Sequence, residues 1–262
     1  MGLKRPTWAL GMSLALIVFL YAPVAVLVLF SFNNSRYSGQ WVGFTVDWYR
    51  RLAADGSLHD ALFNSLIIAS TSTVLATLLG LGAALGLERH RRRRYEAIEA
   101  TMTLLLVVPE VMLGVGLLLW FVLLKLPLGL MTVTLAHTAF NLPLVTMLIR
   151  ARLQKLDVRL EEAARDLGAS PWAAFRRVTM PLLAPAVVGA GLLAFTVSLD
   201  DFIVTFFTAG PGATTLPLKV YSMIKSGVSP EINALSALLV MVSMGMVALS
   251  LWLQRGGPGK IS

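Results

Sequence analysis

The chain has 262 residues, of which 56% are hydrophobic and 14% are charged, and its mean hydropathy is +0.75. A soluble domain carries about 25% charged residues, so this composition predicts an all-α membrane protein. The net charge of +8 lies mainly in short segments between apolar runs, which is typical of membrane orientation and not of nucleic-acid binding. Because the chain has no cysteine, a disulfide framework and a thiolate metal site are excluded.

Six apolar runs are each long enough to cross a hydrocarbon core of about 30 Å. The predicted transmembrane helices cover residues 8–32, 62–87, 101–124, 128–149, 183–206 and 233–254. The first run is longer than the apolar part of a cleavable signal peptide, so we expect it to be a retained span. Residues 1–254 are predicted to form a single transmembrane domain, and the glycine-rich residues 255–262 are predicted to be a disordered tail.

The basic residues predict the orientation of these helices. With the N-terminus in the cytoplasm, most of the 22 lysines and arginines lie in cytoplasmic segments, as the positive-inside rule requires. We therefore expect both termini to be cytoplasmic. The run Arg89–Arg94 is interpreted as an anchor beside anionic lipid headgroups, and not as a nucleic-acid patch.

Two segments outside the membrane are predicted to contain short helices. Asp47 is a candidate N-cap for a helix over Trp48–Leu52 at the membrane interface, and Leu216–Ile224 is similarly helix-prone. The aromatic residues near the first of these helices, including Trp41 and Phe44, are typical of the aromatic belt of a membrane protein. A docking surface for an external partner is the alternative interpretation.

A carboxylate in the third predicted span, Glu110, is a candidate functional group, because a charge at mid-bilayer costs at least about 2.5–3.5 kcal/mol. Counted from residue 101 at 1.5 Å per residue, it is expected about 14 Å deep. No lysine or arginine occupies the middle of any predicted span, so an acid there suits the path of a cationic substrate. Pairing with a polar group of a neighbouring helix or second subunit is the alternative, since Pro109 frees a backbone carbonyl nearby.

The fourth predicted span carries His137 and Asn141, which are four residues apart and can share a helical face. A lone histidine in a membrane helix is more often a hydrogen-bond partner of a neighbouring helix than a ligand. We therefore predict a structural role for His137 and assign it no site.

The polar segment 157–181 is predicted to form two short helices joined by an elbow. Asp157 can cap a first helix that ends near Leu167, and Gly168 then supplies the left-handed residue that commonly ends a helix. Ser170-Pro171 is a typical start for the second helix, with serine as the N-cap and proline at the first helical position.

The same segment carries the pattern of a docking surface. Leu160, Ala164 and Leu167 recur at helical spacing and predict an apolar stripe of the kind that fits a groove on another protein. Ala163 and Ala164 keep this surface thin. An amphipathic helix that lies on the bilayer without a partner is the alternative.

Two further acids, Asp200 and Asp201, lie about 26 Å along the fifth predicted span, near its outer mouth. Because successive helical residues point about 100° apart, only one of them is expected to face a central path, and Asp201 is the candidate for holding the outer loop. Tyr221, in the outer segment that follows, is a candidate for cation–π contact with amines. An interface aromatic is the alternative for Tyr221.

Several motifs resemble a known family. Residues Glu162–Pro181 read E-A-A-x3-G-x9-V-T-M-P, a spacing similar to that of the coupling loop in permease subunits of ATP-binding-cassette (ABC) importers. The segments Phe195–Asp201, Leu216–Met223 and Gly227–Ala234 resemble the spermidine/putrescine branch of these permeases. The resemblance covers nearly the whole chain.

This resemblance implies a type I ABC importer permease fold with six transmembrane helices, and one half of a polyamine translocation path in the bacterial inner membrane. It implies a second homologous permease, two cytoplasmic ATPases that bind ATP-Mg, and an extracytoplasmic polyamine-binding protein, with no cofactor in this chain. The residues that it places at the ATPase are Glu162, Ala163, Ala164, Asp166, Leu167, Gly168 and Ala169.

Two alternatives to a polyamine permease stay open. The chain has no G-x-x-x-x-G-K-[ST] phosphate loop, so nucleotide hydrolysis is not expected of it. A permease for another solute, such as an anion or a ferric complex, is the nearer alternative. An intramembrane hydrolase using Glu110, Asp200 or Asp201 is the distant one: the chain lacks an H-E-x-x-H motif, and the expected depths of its acids differ.

Overall fold

A computed structural model describes residues 7–35, 40–89, 93–157, 159–227 and 230–255 of the chain. These residues form helices and connecting turns, with one isolated antiparallel bridge between Asn33 and Phe44 and no strand among them. The helices are α1 (Thr7–Phe30), α2 (Asp47–Ala54), α3 (Gly56–Arg89), α4 (Arg93–Val107), α5 (Glu110–Leu123), α6 (Leu130–Leu153), α7 (Arg159–Asp166), α8 (Pro171–Ala174), α9 (Met180–Asp200), α10 (Ile203–Thr208), α11 (Leu216–Lys225) and α12 (Pro230–Arg255). A π-helical turn, Phe175–Thr179, joins α8 to α9.

The prediction of an all-helical membrane protein is confirmed in its broad form. Among the described residues, four helices are long and apolar enough to cross a membrane: Leu10–Phe30, Gly56–Glu88, Leu130–Leu153 and Pro171–Asp200. A fifth crossing is present if α4 and α5, between which the helix direction bends by 113°, are one broken span. The apolar stretch Pro230–Gly245 in α12 is shorter. Arg255, the first residue of the predicted tail, is the last residue of α12, and residues 256–262 lie outside the described ranges.

The chain divides into two compact units, and the first comprises residues 1–58 and 220–262. In this unit α12 packs against both α1 and α2. The predicted interfacial helix is present as α2, but the prediction that Asp47 is its N-cap is wrong. Asp47 is the first helical residue, its backbone N–H donates to Thr45 Oγ1 at 3.1 Å, and its carboxylate pairs with Arg50 at 3.2 Å.

Asn33, fully buried after α1, organises the turn that leads to α2. Its Nδ2 donates to the Gln40 carbonyl at 2.7 Å, and its Oδ1 accepts from the Val42 backbone N–H at 2.9 Å. The side chains around this turn include Trp41 and Phe44, which are 53% and 71% exposed. Their exposure is compatible with both the aromatic belt and the docking surface expected from the sequence.

The second unit, residues 59–219, is built around α6. Ten residues of α6 are buried, because α9 packs along it and α4, α5 and α10 also contact it. Gly80 of α3 lets α3 approach α6 closely: a Cβ at this position would lie 2.8 Å from Val145 Cγ1. Small residues permit such close helix approach in membranes.

An ion-pair cluster joins three helices of this unit near the predicted coupling loop. Arg150 of α6 is 16% exposed and bonds to Glu88 of α3 at 3.3 Å and to Glu99 of α4 at 2.5 Å. Gln154, the residue that follows α6, donates a second hydrogen bond to Glu88. This cluster holds α4, the first half of the bent helix pair, against α3 and α6.

Candidate functional site: an exposed elbow and an acidic cavity

The segment 157–181 forms the two short helices that the sequence predicts. The first, α7, begins after Asp157, whose Oδ1 accepts the Arg159 backbone N–H at 3.0 Å. Gly168 has a φ of +89°, in the left-handed region. The Ala169 N–H returns to the Ala164 carbonyl at 3.1 Å, which closes the helix end in the way that such glycines permit.

The second helix starts as predicted and then continues further than expected. Ser170 is the N-cap of α8, with its Oγ accepting the Ala173 N–H at 3.2 Å, and Pro171 occupies the first helical position. Pro181 stands in the first turn of α9 and does not interrupt the helix. Residues Pro171–Asp200 form one 30-residue helical stretch that passes through the π-helical turn.

The elbow is exposed on one side and anchored on the other. No residue of α7 is buried, and Leu167 at its end is 90% exposed. Beneath α7, the Thr179 hydroxyl donates to Glu161 Oε2 at 2.7 Å, which ties α7 to the π-helical turn. The predicted stripe is only partly free: Leu160 is 49% exposed and Ala164 is half-buried. An apolar tip on an anchored elbow is a suitable shape for docking.

Glu110, Asp200 and Asp201 line a single cavity of about 600 Å³, called the acidic cavity below. Its fourteen lining residues include no arginine, lysine or histidine; the other eleven are Leu105, Leu106, Val108, Leu113, Phe140, Leu144, Thr196, Val197, Phe202, Ile203 and Val204. The structure therefore brings together three of the four residues predicted for a substrate path. Tyr221, the fourth, lies on α11 in the part of the chain assigned to the other unit and is 43% exposed.

Two broken helices explain why these acids share a cavity. The predicted continuous helix 101–124 breaks at Val108-Pro109, because proline disfavours a helical residue before it, and Glu110 becomes the first residue of α5. The predicted helix 183–206 also breaks: α9 ends at Asp200, and Asp201 is extended with φ −66° and ψ 123°. The assumption of straight helices, on which the expected depths were based, is therefore wrong, as is the helical geometry assumed for the aspartate pair.

Asp201 is the acid that the structure holds in place. Its side chain is 7% exposed, and its Oδ2 accepts both the backbone N–H and the hydroxyl of Thr205, each at 2.8 Å. Oδ1 accepts a longer bond of 3.3 Å from the Val204 N–H. Asp201 thus bonds to the first turn of α10, next to Phe202, which is the N-cap residue of that helix.

His137 of α6 joins this arrangement from a neighbouring helix. Its Nε2 lies 2.9 Å from Thr205 Oγ1 and 3.3 Å from Asp201 Oδ2, and its Nδ1 lies 2.6 Å from Ser198 Oγ. Ser198 Oγ is in turn 3.1 Å from Ser72 Oγ of α3. The prediction that His137 bonds to neighbouring helices is confirmed, whereas its contact with Asp201 was missed. The spacing of His137 and Asn141 did not indicate that contact, because the contact depends on the break after Asp200.

The order Asp201, His137, Ser198 is that of a catalytic triad, but its environment does not suit nucleophilic catalysis. His137 is 1% exposed and Ser198 is 4% exposed, so no substrate carbonyl can reach the serine. An attacking serine needs space for a reacting atom about 3 Å away. The geometry therefore favours a structural hydrogen-bond network.

Glu110 and Asp200 differ from Asp201 in being exposed. Across the described parts of the chain, neither carboxylate forms a side-chain hydrogen bond or an ion pair with another residue. The cavity accordingly contains two free acids and one engaged acid. A site with this composition can attract a cation with two amines, and it offers no positive group to an anion.

Comparison with known proteins identifies the family. The family model described as "Binding-protein-dependent transport system inner membrane component" matches residues 76–256. The chain belongs to this family. This transport component is 40% identical over 245 residues to the spermidine/putrescine transport system permease protein PotC of Escherichia coli (strain K12), covering 94% of this chain and 93% of PotC. It is 41% identical over 255 residues to the putrescine transport system permease protein PotI of the same strain, covering 95% and 90% of the two chains.

The fold of this transport component also occurs in a solved importer. A chain of a bacterial alginate ABC transporter, in complex with an alginate pentasaccharide-bound periplasmic protein, superimposes with a TM-score of 0.72 at 16% identity. The match covers 95% of this chain and 93% of that chain. The chain therefore shares the fold of this ABC transporter chain, and its family and its relatives make it a subunit of a transport system.

Proposed function

We propose that this chain is one of two permease subunits of an ABC importer for spermidine or putrescine in the bacterial inner membrane. The observation that supports this most directly is the acidic cavity, which combines three carboxylates with no basic lining residue. Protonated polyamines carry two or more positive charges, and a cleft lined by one sign of charge concentrates the opposite ion. The names of PotC and PotI point to the same substrate class.

The remaining parts of the complex follow from the family. We propose six crossings, with α4 and α5 as one broken span and α12 as the sixth, and with both termini in the cytoplasm. The elbow at Gly168-Ala169 is then the surface that a cytoplasmic ATPase grips, with Leu167 as its apolar tip. A second permease, a second ATPase and an extracytoplasmic polyamine-binding protein complete the assembly, and ATP-Mg is bound by the ATPases.

In this assembly the elbow transmits movement and the acidic cavity receives the substrate. When the ATPases close, they displace the elbow, and the 30-residue helix Pro171–Asp200 transmits that displacement because it is continuous. Asp200 and Asp201 stand at its far end, on the cavity wall. Alternating access then requires only that two packings of the same helices exchange.

Uptake by cells that lack this chain tests the proposal. Cells complemented with the wild-type chain are expected to take up labelled spermidine or putrescine. Glu110→Gln keeps the shape of the side chain and removes its charge, so we expect uptake to fall by about tenfold, at the low end of the range for charged clefts. Glu96→Gln on α4 is the matched control, because Glu96 is exposed and does not line the cavity.

The purified complex provides the second measurement. Recovery of the ATPase with Glu110→Gln should equal that of the wild type, since Glu110 is distant in sequence from the elbow and its carboxylate bonds to no other described residue. Uptake that is independent of the chain would contradict the polyamine assignment. Unchanged uptake with Glu110→Gln would remove Glu110 from the substrate path.

A further inference from the structure

The hydrogen bonds around His137 have a consistent direction. Thr205 Oγ1 donates its hydrogen to Asp201 Oδ2 at 2.8 Å. Thr205 Oγ1 therefore accepts the hydrogen of His137 Nε2, which lies 2.9 Å away. With Nε2 protonated, the Nδ1 atom is the acceptor for the Ser198 hydroxyl at 2.6 Å. Every donor in this series of hydrogen bonds then points toward the Asp201 carboxylate, and successive hydrogen bonds of this kind strengthen one another in a buried site.

These bonds connect three helices around the break between α9 and α10. Ser198 lies in the last turn of α9, Thr205 lies in α10, and His137 lies on α6 between them. A change at His137 therefore alters how the end of α9 is held, although His137 itself does not line the acidic cavity. Asp200, the last residue of α9, is exposed and lines the cavity.

We propose that His137 is a positioning residue for the acidic cavity. By bonding to Ser198 on one side and to Asp201 and Thr205 on the other, it holds Asp201 as the structural acid and leaves Asp200 free to meet a cationic substrate. This assigns different roles to two adjacent aspartates, and it rests on the proposed polyamine permease function. Among the described residues, Asp201 is bonded by hydroxyl, backbone amide and imidazole groups and by no lysine or arginine.

Two substitutions of His137 separate positioning from packing. Asparagine places its amide near the position of Nδ1, so His137→Asn keeps a hydrogen bond to Ser198 but is too short to contact Asp201 or Thr205. Glutamine is one carbon longer and reaches the position of Nε2, so His137→Gln keeps a donor for Asp201 and Thr205. We expect His137→Gln to retain most putrescine uptake per ATP hydrolysed and His137→Asn to lose about tenfold, which corresponds to about 1.4 kcal/mol.

The measurement uses the complete complex with its binding protein and ATPases in liposomes, and it records putrescine uptake and ATP hydrolysis together. Thr146→Val is the matched control, because Thr146 is fully buried on the same helix but bonds only to the Leu142 carbonyl, at 2.7 Å. A double variant of His137→Asn with Asp201→Asn should be no worse than the more impaired single variant, since the two residues act through one contact.

The outcomes distinguish the two proposals. Absence of uptake of both putrescine and spermidine by the wild-type complex contradicts the polyamine function itself. Normal uptake per ATP with His137→Asn, alongside a loss with Asp200→Asn, overturns only the role of His137. Equal losses with the asparagine and glutamine variants also overturn it, because packing alone then explains them.

If both His137 variants fail to assemble, Thr205→Val decides the question. Valine has nearly the same shape as threonine and keeps the backbone N–H bond to Asp201, but it removes the hydroxyl that joins His137 to the carboxylate. Reduced uptake per ATP in an assembled complex supports the proposal, and wild-type uptake per ATP overturns it.

Discussion

The elbow at Gly168 allows a quantitative test of coupling. Gly168 has a φ of +89°, and a Cβ built at this position has no neighbour within 4 Å. A substitution therefore meets no steric clash, and its whole effect arises from the backbone conformation. A left-handed conformation costs an L-residue about 1–2 kcal/mol, with β-branched residues at the high end because their side chains are least tolerant of it.

This cost predicts a defined loss of affinity for the ATPase. If docking requires the elbow to keep its left-handed residue, Gly168→Val should weaken ATPase binding by about 5- to 30-fold. Asparagine tolerates the left-handed region, so Gly168→Asn should lose much less. Gly82→Val controls for the added side chain, because Gly82 is helical, has no positive φ and has no neighbour within 4 Å of its Cβ.

The assay titrates purified ATPase against permease complexes in nanodiscs and measures polyamine uptake with the same variants. We expect affinity and uptake to decrease in the order wild type, asparagine, valine, with Gly82→Val equal to the wild type. Wild-type affinity for Gly168→Val would refute the reasoning, because the elbow would then adopt another conformation without a functional cost.

Two further predictions concern stability. Gly80→Ala should destabilise the protein by about 1–3 kcal/mol, because the new Cβ lies 2.8 Å from Val145 Cγ1, and Val145→Ala should recover part of that loss in the double variant. Thermal unfolding in detergent measures this, and additive losses would contradict the contact. Arg150→Met should lower the unfolding temperature more than Arg150→Lys does, because it leaves Glu88 and Glu99 without their shared cation. An unfolding temperature of Arg150→Met equal to that of the wild type would show that the cluster contributes no stability.

Local chemistry that acts within a few residues was predictable from the sequence. Gly168 was expected to be left-handed and Ser170 to be an N-cap, and both are, because helix ends depend on the residues at the end itself. The helical segments were also predictable, since apolar runs of sufficient length have no other stable structure in a membrane.

The sequence-based account was wrong at two helix ends. Asp47 was expected to be an N-cap, yet Thr45 bonds to the helix start instead. Pro109 was recognised as a perturbation of the helix, but neither the 113° angle of the break nor its consequence for Glu110 could be obtained from one segment alone.

By itself, the sequence determined that this protein is a helical membrane protein with an elbow between two short helices, because composition, apolar run length and capping residues act locally. Only the tertiary structure decided that Glu110 and the aspartate pair line one cavity and that His137 bonds to Asp201. The physical reason is that both results require two helices to break at set points and pack against α6. The packing of α6 against α5, α9 and α10 fixes these distances, and no local propensity encodes them.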